Sequence, residues 1–100
     1  MSEAEKNIIE KLKRRVRAMS DLADEEIEDL VNACKKEMEI TGVYGDENDP
    51  LYYNAIVLYC KAHYGYDENT EKFEAAFKAL RDSMCLSGDY EKKENGNGSS

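Results

Sequence analysis

Apolar residues recur with helical spacing along most of the chain. Ile8, Leu12 and Val16, with Ile9 beside them, mark one side of a first helix predicted from about Ala4 to Met19. Lys11, Lys13, Arg14, Arg15 and Arg17 lie mostly off that side, and positive charge near a helix C-terminus also complements the helix dipole. Residues 20–24 break the pattern. A second helix follows from about Glu25 to Thr41, with Asp24 as the expected N-cap and Gly42 as its stop. Its stripe is Ile27, Leu30, Val31, Cys34 and Met38, with charges on the opposite face. Val43 to Asn48 is a turn-rich loop with room for a short extended piece, and no strand is predicted there.

The third helix, Pro50 to Tyr64, differs in kind. Asp49 is placed to cap it, Pro50 occupies the first position, where a missing N–H costs nothing, and Gly65 offers a stop. Leu51, Ala55, Ile56, Val57, Leu58, Cys60 and Ala62, with Tyr52, Tyr53 and Tyr59, leave almost no polar face, which predicts a central, buried helix. Start signals in Asp67 to Thr70 open a fourth helix to about Leu86, with a stripe of Phe73, Ala76, Phe77, Leu80 and Met84 and a stop at Gly88. Short connections favour antiparallel neighbours, so helices two and four are expected to clamp the third. The predicted fold class is all-α: a small bundle of four helices around a central apolar helix. Residues 1–90 form a single domain with a basic N-terminal helix at 1–19, and the polar segment EKKENGNGSS at 91–100 is expected to be a disordered tail.

Composition narrows the partners. The chain has 100 residues, 41% hydrophobic and 36% charged, which leaves a thin core that gains from burying surface against neighbours. The net charge of −8 argues against a grip on nucleic acid, which comes from Lys and Arg. Its distribution is uneven. Residues 1–17 carry six basic and three acidic side chains, a net +3 that leaves −11 for the rest of the chain. A basic end and an acidic body in one subunit are suited to head-to-tail contact in a ring, although a solvated charged face is the simpler reading. No stretch approaches the roughly 18 apolar residues of a membrane span, and the start has no apolar signal-peptide core. Cys34, Cys60 and Cys85 lack CxxC spacing and read as reduced, buried thiols of an intracellular setting.

Catalytic chemistry finds little support. The lone histidine, His63, has no metal-ligand or catalytic partner at a recognisable spacing and is expected to bond a backbone carbonyl near the end of helix three. There is no glycine-rich phosphate loop, and acid pairs such as Asp67 and Glu68 look like helix N-terminal charges. Neither catalytic residues nor a metal or cofactor are expected. The seven tyrosines cluster around helix three and its ends, where an apolar ring with a polar tip suits either a core edge or a seam between subunits.

Taken together, D-P-L at 49–51, A-I-V-L-Y-C-K-A-H-Y-G-Y at 55–66, F-x-x-A-F-x-x-L at 73–80 and L-S-G-D-Y at 86–90 resemble the head–tail connector family of tailed phages. The likeness rests on many modest positions, among them Asp49, Pro50, Ala55, Ile56, Lys61, Gly65, Phe73, Leu80, Gly88 and Tyr90, most of which encode a fold. The resemblance implies a non-enzymatic structural protein in a homo-oligomeric ring, dodecameric when assembled, beneath the phage portal protein. It implies a ring that extends the DNA channel and receives the tail or a stopper protein, with double-stranded DNA passing without specific binding and no membrane involved. The implied location is the host cytoplasm during assembly and then the virion head–tail interface. The candidate contact residues are Lys11, Arg14, Arg15 and Arg17 in helix one, Tyr44 and Asp46 in the loop, Tyr52 and Tyr53 in helix three, and Leu86, Asp89 and Tyr90 after helix four. Two rivals follow from the residues: a small DNA-binding or regulatory adaptor, which would need a recognition helix rich in Arg, Asn and Gln, and a small enzyme built on acids and His63.

Overall fold

The computed structural model describes residues 3–16, 19, 21–64 and 70–92, the side chains of residues 3–5 and 64 apart. Four helices account for most of them: α1 (Glu3–Arg15), α2 (Asp24–Ile40), α3 (Pro50–Tyr64) and α4 (Thr70–Ser87). The all-α class is as predicted, and no strand occurs among the described residues. The helix stops expected at Gly65, the start signals at Asp67 to Asn69, Arg17 and tail residues 93–100 lie outside the described residues.

The core consists of eighteen buried hydrophobic side chains and no buried charged one among the described residues. The stripe of α1 contributes Ile8, Ile9 and Leu12, that of α2 contributes Ile27, Val31, Cys34 and Met38, and α4 adds Phe77 and Met84. The largest share is from α3: Tyr52, Ala55, Ile56, Val57, Tyr59 and Cys60. This helix packs most extensively on α4 and then on α2, while α1 lies on α2.

Helix ends show where tertiary contacts overrule local signals. The first helix was expected to reach Met19, but α1 stops at Arg15. The Met19 N–H bonds to Val16 O at 2.9 Å and the Leu22 N–H to Met19 O at 3.1 Å, and these tighter turns still carry Met19 into the core. The expected cap of α2 is also corrected. Ala23, extended at φ −67° and ψ 148°, holds the N-cap position. Asp24 is the first helical residue, and its carboxylate is drawn instead to Lys13 Nζ at 2.7 Å. Glu26 Oε1 accepts from the Ala23 N–H at 3.3 Å, so the helix is capped from its third position. At the other end the α2 stop is as predicted. Gly42 has φ +92°, its N–H bonds to Glu39 O at 2.9 Å and the Val43 N–H to Met38 O at 2.8 Å, a Schellman arrangement. Met38 and Val43, both fully buried, supply its apolar contact.

The stripe of α4 is narrower than its spacing suggests. Phe73 and Leu80 are half-buried and Ala76 is exposed, because only the face against α3 is covered. Cys85 is likewise exposed, a correction to the reading of three buried thiols: it follows Met84 by one residue, about 100° round the helix. Burial pushes the Cys60 thiol up to about 12 and the Cys34 thiol higher still, so both are inert core groups.

Candidate interface

One end of the bundle gathers five of the eleven predicted contact residues. There α2 and α4 finish and α3 begins, and the loop 43–49 crosses between them. Asp49 organises this end. Its Oδ1 accepts from the backbone N–H of Leu51 at 2.8 Å and of Tyr52 at 3.3 Å, the N-cap function predicted for it. Its Oδ2 accepts from the Tyr90 hydroxyl at 2.9 Å. Burial alone would raise the Asp49 carboxyl, but the hydrogen bonds from Tyr90, Tyr52 and Leu51 together outweigh it and hold the group below its ordinary value of 3.8. The Tyr90 phenol is raised, first by burial and then by its bond to Asp49.

The segment after α4 is strapped to the same loop by its backbone. The Tyr44 N–H donates to Tyr90 O at 2.7 Å. Gly88, at φ +77°, turns the chain, and the Asp89 N–H bonds back to Ser87 Oγ at 3.2 Å. Next to the strap, the Cys85 thiol donates to Thr41 O at 3.1 Å, tying the ends of α4 and α2 together. The ring of Tyr90 therefore packs on the core rather than projecting beyond it. Leu86, by contrast, is 87% exposed.

The loop separates two unlike recesses. On the side of α4 lies a cleft of about 400 Å³, lined by Asp46, Asp49, Asp89 and Glu91 with Tyr44 and Tyr90 and no basic residue. On the side of α1 lies a groove of about 690 Å³, where Lys6, Lys11 and Arg14 face Glu10, Glu47 and Asn48. The loop is held toward α2 by an ion pair of 2.8 Å between Lys35 and Glu47. Within the loop, Asp46 Oδ1 accepts the Asn48 N–H at 2.8 Å.

The structure thus brings Tyr44, Asp46, Leu86, Asp89 and Tyr90 together at one end and places Lys11 and Arg14 on the adjoining flank. It separates out the two tyrosines of α3. Tyr52 is only 1% exposed and belongs to the core, so it offers no surface to a partner. Its ring lies beneath Gly45, where an added Cβ would stand 2.7 Å from Tyr52 Cδ2, so the loop sits down only because residue 45 is glycine. Tyr53 is half-buried, with Lys11 Nζ 5.3 Å and the Arg15 guanidinium 5.8 Å from its ring centre, so two of the basic candidates are partly engaged within the subunit. His63 is exposed and its ring lies 4.2 Å from that of Tyr59.

Sequence reasoning passed over Ile40 and Leu51, which are 75% and 50% exposed at this same end. Ile40 had a signal: it is an apolar residue that falls off the stripe of its own helix. Leu51 had none, because every position around it is apolar too.

A family model described as phage connector protein matches residues 8–91. No curated protein and no solved structure matches the chain. The match begins at Ile8, the first core residue of α1, and runs through the strap to Glu91, so it takes in most of α1, the whole of α2, α3 and α4, and the end those three share. The chain belongs to the phage connector protein family.

Proposed function

We propose that this protein assembles as a ring of identical subunits beneath the portal, where it extends the DNA channel and joins the filled head to the tail or to a stopper protein. The family match over residues 8–91 carries this reading. The fold supports it in two ways. The recesses at the shared end are open surface features flanked by charge, suited to protein contact. The acidic balance of residues 18–100 suits a channel wall that DNA passes without being held, since phosphate binding requires Lys and Arg. Assembly would take place in the host cytoplasm, with the finished ring at the head–tail interface.

The DNA-binding rival needs its basic side chains available. In α1, Lys13 is paired with Asp24 at 2.7 Å, and Lys11 and Arg15 flank the Tyr53 ring. Among the described residues of α1 this leaves Lys6 and Arg14 unengaged, fewer basic side chains than a recognition helix presents to DNA.

The test is removal of the gene from the phage or prophage that carries it. Full heads that lack tails and leak DNA are expected, with tails restored when the purified protein is added. Purified protein that neither binds the portal nor restores tails would refute the reading.

A further inference from the structure

Three large apolar side chains are exposed among the described residues: Ile40, Leu51 and Leu86. They are remote in sequence yet fall at the one end where α2 and α4 finish and α3 begins. The Cys85 to Thr41 bond of 3.1 Å brings the ends of α2 and α4 together. A shallow recess of about 160 Å³ shared by Leu51, Met84 and Tyr90 does the same for the start of α3 and the end of α4. Beside these apolar groups lies the cleft with four carboxylates and no basic residue. Among the described residues none of Asp46, Asp49, Asp89 and Glu91 is ion-paired.

Such an end is poorly matched to water and to itself. Apolar groups remain hydrated, and like charges repel at close range. A partner bearing basic groups on long aliphatic stems relieves both, because Lys and Arg cover apolar surface with the stem and neutralise acids with the head. This chain carries such a partner surface. The groove on the other flank of the loop presents Lys6, Lys11 and Arg14 against Glu10 and Glu47, and Glu47 is already paired with Lys35, so basic charge is in excess there.

We propose that the acidic, apolar end of one copy docks head to tail on the basic flank of α1 of a second copy. This deepens the ring reading and rests on it. The two surfaces differ and occupy separate flanks of the loop, so the contact is heterologous and leaves each copy ready to receive the next.

The experiment uses two full-length variants, each carrying exposed substitutions only. One reverses the α1 flank (Lys6→Glu with Arg14→Glu), the other the cleft (Asp89→Lys with Glu91→Lys), and circular dichroism verifies that both fold. Measured by sedimentation at low ionic strength, each variant alone is expected to self-associate at least about tenfold more weakly than the original chain. An equimolar mixture recovers association, because each reversed surface then meets its complement. Variants that associate as well as the original chain, or a mixture no better than its parts, overturn the proposal.

A second readout covers weak association. Carbodiimide coupling of mixed ¹⁵N-labelled and unlabelled chains at high concentration should join Lys6 of one copy to Asp89 or Glu91 of another. Absence of such mixed-isotope links also overturns it. Portal binding is scored separately: its loss with these contacts intact would sink the connector reading while leaving the docking surface standing.

Discussion

Inside the bundle, eighteen apolar side chains hold the helices together and no charged group is buried with them. At the end where α2 and α4 finish, large apolar side chains face solvent, and cohesion comes from a few hydrogen bonds that converge on Asp49 and Tyr90. The interior draws on many interchangeable contacts, so it tolerates imprecision and secures the fold. The end draws on a handful of specific bonds, among them three between residues 41 to 46 positions apart, which stabilise little in total but set the shape of that end. Bulk burial thus secures the fold, while directional bonding shapes one end of this small protein.

The comparison breaks most visibly in the interior. Ile56 is fully buried on α3, and Ile56→Ala should cost about 2–5 kcal/mol, read as a lower denaturant midpoint at unchanged slope. A loss below about 1 kcal/mol, more typical of a surface substitution than of a core truncation, would mean that α3 is not the packed element described.

An intermediate effect is expected at the strap. Asp49→Ala removes the α3 cap and the acceptor for Tyr90 and should cost about 1–3 kcal/mol, combining a cap with a side-chain hydrogen bond. Tyr90→Phe, which loses only the hydroxyl contact of 2.9 Å, should cost about 0.5–1.5 kcal/mol. The two substitutions should not add, because they share one bond.

Acid titration sharpens the point. The Asp49 carboxyl is lowered in the folded state, so its contribution is whole above its ordinary value of 3.8 and disappears as pH falls through the depressed value. In Tyr90→Phe the carboxyl is held down less strongly, so the acid loss should be smaller and complete at a higher pH. Thermal melts across the acid range would show it. Identical acid profiles for the two proteins would mean that the bond to Tyr90 does not act on Asp49.

The smallest effect on stability belongs to the exposed apolar group. Leu86→Ser should change stability by no more than about 0.5 kcal/mol, since the side chain is 87% exposed. The same substitution should weaken self-association measurably. A large loss of stability in the monomer would place Leu86 with the interior and erase the contrast.

Much of the fold was legible because it depends on local chemistry. The D-P pair at 49–50 placed the start of α3, and Gly42 placed the end of α2, since a cap needs a nearby carboxylate and a left-handed turn needs a residue without a side chain. The misreadings share one origin. Asp24 had the chemistry of a cap and was taken by Lys13, eleven residues away. Tyr52 had the amphipathic character of a surface ring and was closed over by the loop at Gly45. In both cases the deciding partner was distant along the chain, or its approach depended on how the loop folded down.

The spacing of apolar residues, the caps and the glycines were enough to establish four helices, their approximate limits and the all-α class, because each depends on interactions within a turn or two of chain. The location of the acidic cleft beside exposed Ile40, Leu51 and Leu86, and the tie from Tyr90 to Tyr44 and Asp49, belonged to the folded molecule alone. Helix periodicity says which face of each rod is apolar. Only the packing of the rods against one another decides which of their ends meet and which apolar groups are left uncovered.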